Sequence, residues 1–230
     1  MSGPPAALMS LLHLCDSLFP IGAFAYSDGL ESAAASGLVT GAADLYPWLE
    51  ACRDEGFERL DGRAIAIAWA AVEHGDWDAV MAVDEEITAL RAAATARMSN
   101  QSMGLRLMKT WQGLQPDGRL EELLALARAG RLGPTLPIAF SAVSQCAGLA
   151  LADALHGYVY TRLASTVSAA MRLVPIGQTD AHRLLSRALE RVPSSVDEVL
   201  ARQARPESFA PAMEIAQMTQ QYVPTRLFRS

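Results

Sequence analysis

Four histidines and three cysteines are the most chemically versatile residues in this chain, and their spacing makes little of them. His13 and Cys15 are two apart, which on a helix points them to different sides. They read as a surface imidazole beside a buried thiol rather than a chelate. His74, His156 and His182 stand alone, with no HExxH, HxxxH or CxxC spacing of the kind a metal site uses. The consecutive carboxylates Asp84, Glu85 and Glu86, and the pair Glu121 and Glu122, fan around a helix axis and read as solvated faces. One enzyme reading survives, a thiaminase-like helical hydrolase with Cys146 as nucleophile beside a carboxylate such as Asp153. The charge-poor segment around Cys146 works against it, because burial raises a thiol pKa. A third class is a helical carrier whose two central helices enclose an apolar ligand in a cavity of roughly several hundred cubic ångströms. These residues nominate no catalytic residue and no metal site, and they imply no cofactor.

The elements that carry these residues are helical throughout. Apolar residues recur at spacings of three and four along the 230 positions, no run of alternating β-branched residues stands out, and the hydrophobic surplus is mostly alanine and leucine. We expect an all-α, single-domain helical bundle of about ten helices over residues 1–230, with a flexible C-terminal tail at about 222–230. Helices are expected over about 6–17, then from an Asp28 and Glu31 capping box to Gly37, and from Asp44 to about Leu60. Asp61-Gly62 should break the chain before a helix ending near His74-Gly75. Further helices follow Asp76 (to about Leu90), cover 91–113 with a kink near Ser99-Asn100, and cover 119–129. From Leu132 to Ala152 no residue is charged, a length that would span a bilayer. Its prolines, serines, Gln145 and Gly148 dilute the hydropathy, so a helix buried mid-bundle is preferred over a membrane span. A helix after Asp153, to about Val174, should pack antiparallel on it, and helices over about 178–191, from Pro193 to before Pro206, and over 209–221 complete the set.

Nineteen basic residues against 25 acidic ones, with Lys109 the sole lysine, show no basic footprint for nucleic acid. An odd number of widely spaced cysteines fits reduced thiols, and residues 8–25 lack the positive n-region of a secretory signal. A cytoplasmic protein is the expectation.

Three stretches break the pattern of a lone globular domain. Residues 16–31, DSLFPIGAFAYSDGLE, form a connection broken by Pro20 and Gly22, yet they carry Phe19, Ile21, Phe24 and Tyr26. Connections usually run over a wetted surface, so one this apolar is either folded into a core or covered by a partner. Phe19 and Phe24 suit a core position, and Tyr26, with its polar tip, suits an interface. The second stretch is AAMRLVPIGQTDAHRLL, residues 169–185, where Arg172 lies one turn before a helix end marked by Pro175 and Gly177. The third is the terminal TRLFRS, where Arg226 and Arg229 can fork onto carboxylates while Leu227 and Phe228 fill pockets, ordering the tail on binding.

In this order, DSLFPIGAFAYSDGLE, RLVPIGQ and RLFRS resemble the UreF family of urease accessory proteins, and the resemblance covers essentially the whole chain. Pro20, Gly22, Phe24, Tyr26, Ser27, Gly29, Leu30 and Glu31 match the opening motif, and Arg97 and Gly104 match a further family position. Thr95 stands where the family commonly has an acidic residue, and Gln220-Gln221 where it often has His-Glu. The resemblance implies an all-α adaptor without an active site. It implies a homodimer that binds UreD (also called UreH) and the GTPase UreG, and so couples GTP hydrolysis to nickel delivery into apo-urease. Partner binding would then fall to Pro20, Gly22, Phe24, Tyr26, Ser27 and Glu31 in the loop, to Arg97, to Arg172, Pro175, Gly177 and Gln178 at the turn, and to Arg226, Leu227 and Phe228 in the tail.

Overall fold

The structure, a computed structural model, describes residues 4–23, 26–202 and 204–228. It is all-α, as expected. Helix α1 (Pro4–Cys15) leads into the opening loop, and α2 (Leu30–Ala35) is a short turn-and-a-half after it. Then α3 (Ala42–Ala51), a π-helical segment (Cys52–Asp61) and α4 (Gly62–His74) follow one another without a break. The expected break at Asp61-Gly62 is absent, because Gly62 keeps helical angles (φ −64°, ψ −43°) and the rod runs straight through. In π geometry, i to i+5 hydrogen bonding brings residues four to five apart onto one face. That face here carries Cys52, Gly56, Phe57 and Asp61, all on one small cavity.

Helix α5 (Trp77–Leu90) opens with Asp76, whose side chain accepts from the Ala79 N–H at 3.0 Å. Helix α6 (Ala94–Leu114) is continuous through Ser99-Asn100. Helix α7 (Gly118–Arg128) is capped by Asp117, which accepts from the Arg119 N–H at 2.9 Å, and the chain leaves it through Gly130 at φ +69°. Helix α8 (Leu136–Cys146) is shorter than the charge-poor run because Gly148, at φ +75°, terminates it before the bilayer-spanning length is reached. No helix among the described residues is long and apolar enough to cross a membrane. Helices α9 (Leu151–Leu173), α10 (Gln178–Leu189), α11 (Val192–Ala201) and α12 (Pro211–Thr219) follow, and a 3₁₀ turn (Gln220–Tyr222) leads into the tail.

The core gathers around α8 and α9. Helix α9 touches α1, α2, α3, the π segment, α4, α8, α10 and α11, while α8 packs against α4, α6, α7 and α9. Both helices bury Phe140, Tyr158, Leu155 and Leu163 among their neighbours.

The N-terminus of α8 is capped from other helices rather than by its own N-cap residue. Oδ1 of Asp84, on α5, accepts from the Thr135 N–H at 2.9 Å and from the Thr135 hydroxyl at 2.7 Å. Oδ1 of Asn100, on α6, accepts from the Leu136 N–H at 2.8 Å. Asp84, read from sequence as part of a solvated face, is therefore buried at 2% exposure, whereas Glu85 lies on the outside. Burial pushes the Asp84 carboxyl up from 3.8 to about 6 against the pull of its Thr135 hydrogen bonds. An acid whose pKa is higher folded than unfolded contributes most stability when protonated, and the contribution is lost as pH rises through the folded value. Relative to Asp84→Asn, wild-type protein should lose up to about 3 kcal/mol of stability between pH 4 and pH 7. Parallel urea titrations of the two proteins across that range measure the difference, and a constant gap would refute it.

Candidate functional site

The opening loop and the tail meet over a pocket of about 380 Å³. Its walls are the end of α1 and the loop on one side, α9 from Tyr160 to Arg172 on the other, and Phe228 at the end. Chain breakers shape the loop. Gly22 takes φ +79°, a conformation that favours glycine, and Arg106 packs so close to it that a Cβ would collide with the guanidinium, which donates to the Ile21 carbonyl at 3.0 Å. Phe19 turns inward at 5% exposure, with its ring edge-on to His13 at 5.2 Å between centroids. Helix α1 presses on α9 at Gly157, where a Cβ would meet Leu11 and Cys15.

The three sequence motifs converge through two side chains. Glu31, at 4% exposure, accepts from the Leu227 N–H at 2.5 Å through Oε1, and from the Gln220 side-chain amide at 2.5 Å and the Phe228 N–H at 3.3 Å through Oε2. Arg172 places its guanidinium 4.4 Å from the centroid of the Phe228 ring, a cation–π contact that ties the end of α9 to the tail. Glu31 thus joins the loop motif to the tail, and Arg172 joins the turn motif to the same ring.

Several expected partner-binding residues consequently point inward. Ser27 and Gly22 are buried, and the Ser27 hydroxyl accepts from the Glu31 N–H at 3.4 Å. The Asp28 and Glu31 capping box does not form, because Asp28 adopts φ +50° and gives its carboxylate to Arg162, while Glu31 is taken up by the tail. Phe228 is 4% exposed and belongs to this chain's own core, so the tail is docked through residue 228 instead of hanging free. Burying an aromatic ring and satisfying two main-chain N–H groups outweighs the entropy of a loose tail. Arg97 donates to the carbonyls of Arg91 at 2.6 Å and Ala92 at 2.9 Å, holding the α5–α6 connection. Pro20, Arg172, Pro175, Gly177, Gln178, Arg226 and Leu227 are exposed, and Tyr26 is half-buried on the pocket wall. Pro175, Gly177 and Gln178 form the α9–α10 turn and do not line the pocket. Phe24 and Arg229 lie outside the described residues.

A buried polar network stands behind the pocket, and no sequence motif announces it. Arg162 on α9 pairs with Asp28, while Asp61, at the end of the π segment, accepts from Arg91 at 2.5 Å and from the Tyr158 hydroxyl at 2.6 Å. These groups surround a cavity of about 70 Å³ together with Cys52, Asn100 and Thr166. Arg162 carries the one sequence signal for it, as an isolated charge amid the apolar face of α9, because an ion so placed must find a partner. Its partner lies 134 residues away in the chain, at a position read as a helix cap.

Burial pushes the Cys146 thiol up to about 12 and Cys52 up to about 12, and likewise Cys15 up to about 11. All three are held as protonated thiols at neutral pH. Among the described residues, no group of three or more His, Cys, Asp or Glu side chains could hold a metal ion.

Comparison with known proteins gives the family. The UreF family model matches residues 39–189. The urease accessory protein UreF of Arthrobacter sp. (strain FB24) is 32% identical over 225 residues, covering 96% of each chain. The urease accessory protein UreF of Rhodopseudomonas palustris (strain BisB5) is 33% identical over 228 residues, covering 98% of this chain and 92% of its own. That of Methylibium petroleiphilum is 31% identical over 229 residues, covering 98% and 94%. With the opening loop, the α9 turn and the tail drawn together around Glu31 and Arg172, and with relatives that align from end to end, the chain belongs to the UreF family of urease accessory proteins.

Proposed function

We propose that this protein is a non-enzymatic adaptor of urease maturation. It acts in the cytoplasm as a homodimer, and with UreD (UreH) it recruits the GTPase UreG, coupling GTP hydrolysis to nickel delivery into apo-urease. The observation that carries the reading is the exposed pair Arg226 and Leu227, held beside the pocket while the next residue is anchored in the core. A guanidinium that can fork onto a carboxylate, next to an apolar side chain left 58% exposed, has the composition of an interface anchor. Exposed Leu8, Met9 and Leu12 on α1 add an apolar face of the kind partners cover.

Co-purification tests the reading. Tagged full-length protein should capture UreD, and through it UreG, from the same organism, whereas a form ending at Thr225 should lose UreD. Because truncation also removes Phe228 from the core, the decisive variant is Arg226→Ala with Leu227→Ala, which leaves Phe228 in place. That variant should keep its melting temperature and lose UreD. Full-length protein that captures neither partner would sink the reading.

A second reading has one observation in its favour. The pocket of about 380 Å³ has the volume a carrier of a small apolar ligand requires, though it lies between α1 with the opening loop and α9 and is not closed between the two central helices. Native mass spectrometry showing a stoichiometric small molecule on the purified protein would support the carrier.

A further inference from the structure

We propose that Glu31 is a positioning residue that clasps the C-terminal segment in the free protein, so that Arg226 and Leu227 are presented as a pre-formed edge before any partner arrives. The use of that edge rests on the adaptor reading above, but the clasp itself does not. Glu31 sits in the first turn of α2, 4% exposed, with three N–H donors on its two oxygens. Two of them are main-chain groups of the tail, so the carboxylate fixes the path of the backbone.

The third donor makes the clasp reciprocal. Gln220 gives its amide N–H to Glu31 Oε2 and takes the Ser32 N–H on its own Oε1 at 3.1 Å. The Thr219 and Ser32 hydroxyls meet alongside at 2.8 Å. The free N–H groups at the start of α2 and those of the tail are thus satisfied by one interlocked set of side chains. The Phe228 ring then fills the pocket end under Arg172. A tail fixed at residues 227 and 228 leaves Arg226 exposed on the adjoining backbone. The partner segment this edge fits pairs a carboxylate with an apolar side chain. Holding the edge in place beforehand removes an ordering cost that a loose tail would pay on binding.

The test is built on the donor pattern. Every hydrogen-bond partner of the Glu31 carboxylate is an N–H, so Glu31→Gln sets an amide N–H against an N–H whichever way the side chain turns. Limited trypsinolysis of the full chain, read by intact mass, follows cleavage of the Arg226–Leu227 bond. In wild-type protein this cleavage should be slow, and in Glu31→Gln at least about tenfold faster, with the helical circular dichroism unchanged. Glu31→Gln combined with Gln220→Glu restores the carboxylate–amide pair with the roles exchanged and keeps an acceptor on the Leu227 N–H, while the Phe228 N–H still faces an amide N–H, so it should recover part of the protection. Cleavage of wild-type protein at the rate of a free peptide of the same sequence would overturn the clasp. So would equal rates for wild type and Glu31→Gln, or a double variant as labile as the single. If Glu31→Gln does not fold, hydrogen exchange at the Leu227 and Phe228 amides of wild-type protein decides: protection supports the clasp, and free exchange overturns it.

Capture of UreD in the same preparations reports separately on function. A protected wild-type tail with no capture sinks the adaptor reading and leaves the clasp standing. Undiminished capture by Glu31→Gln with a released tail sinks the pre-formed edge.

Discussion

Asp61→Ala is expected to destabilise the protein by about 3–5 kcal/mol, because it strands the Arg91 guanidinium and the Tyr158 hydroxyl in the interior. Asp61 is 6% exposed and Tyr158 1%, so the variant leaves both donors in the interior without their protein acceptor. Burial and the neighbouring Asp61 charge already push the Tyr158 hydroxyl well above its usual value, which keeps it a donor. The loss compares with a total of about 5–15 kcal/mol for an ordinary domain. Asp61 also ends the π segment, so the fault would spread into the α3–α4 rod. Urea unfolding should show a lower midpoint with an unchanged m value. The triple variant Asp61→Leu, Arg91→Met, Tyr158→Phe, which removes all the stranded polarity, should regain most of the loss. A single variant as stable as wild type would mean that water reaches this network.

Gly104→Ala is expected to cost a similar amount, about 3–5 kcal/mol, from overpacking together with lost buried hydrogen bonds. A Cβ at this position would stand 2.7 Å from the Thr135 carbonyl and closer still to the Pro134 oxygen. Both obstacles are main chain, so no rotamer change relieves the contact. Helix α6 would have to withdraw from the start of α8, taking the Asn100 cap away from the Leu136 N–H. At Gly113, on the same helix, a Cβ would have no neighbour within 4 Å, and Gly113→Ala should be neutral or stabilising by up to about 1 kcal/mol. Thermal melts of the two alanine variants side by side check the contrast. A melting temperature for Gly104→Ala within a degree of wild type would refute the close approach.

Much of the fold was legible because its signals are local. Asp76 and Gly130 cap or end their helices as their types require, and three-and-four spacing marks the helices between them. The misread places share one physical cause. Asp61-Gly62 reads as a break, Asp84 as a solvated carboxylate and Asp28 as a cap. In each case a partner distant in the chain, Arg91, Thr135 or Arg162, changes what the residue does. Gly148 reads in one dimension only as a dilution of hydropathy, although its left-handed backbone is what stops α8.

The candidate site divides in the same way. Types and order of residues were enough to single out the loop, the α9 turn and the tail, because apolar residues in a connection and arginines beside a terminal Leu-Phe are anomalies visible in one dimension. Residue order alone also determined the all-α class and the family resemblance. Which side of each motif faces outward was decided by tertiary structure. The Glu31 carboxylate could not stay buried without donors, and the tail's main-chain N–H groups and the Gln220 amide supplied them, drawing Phe228 inward and leaving Arg226 and Leu227 at the surface.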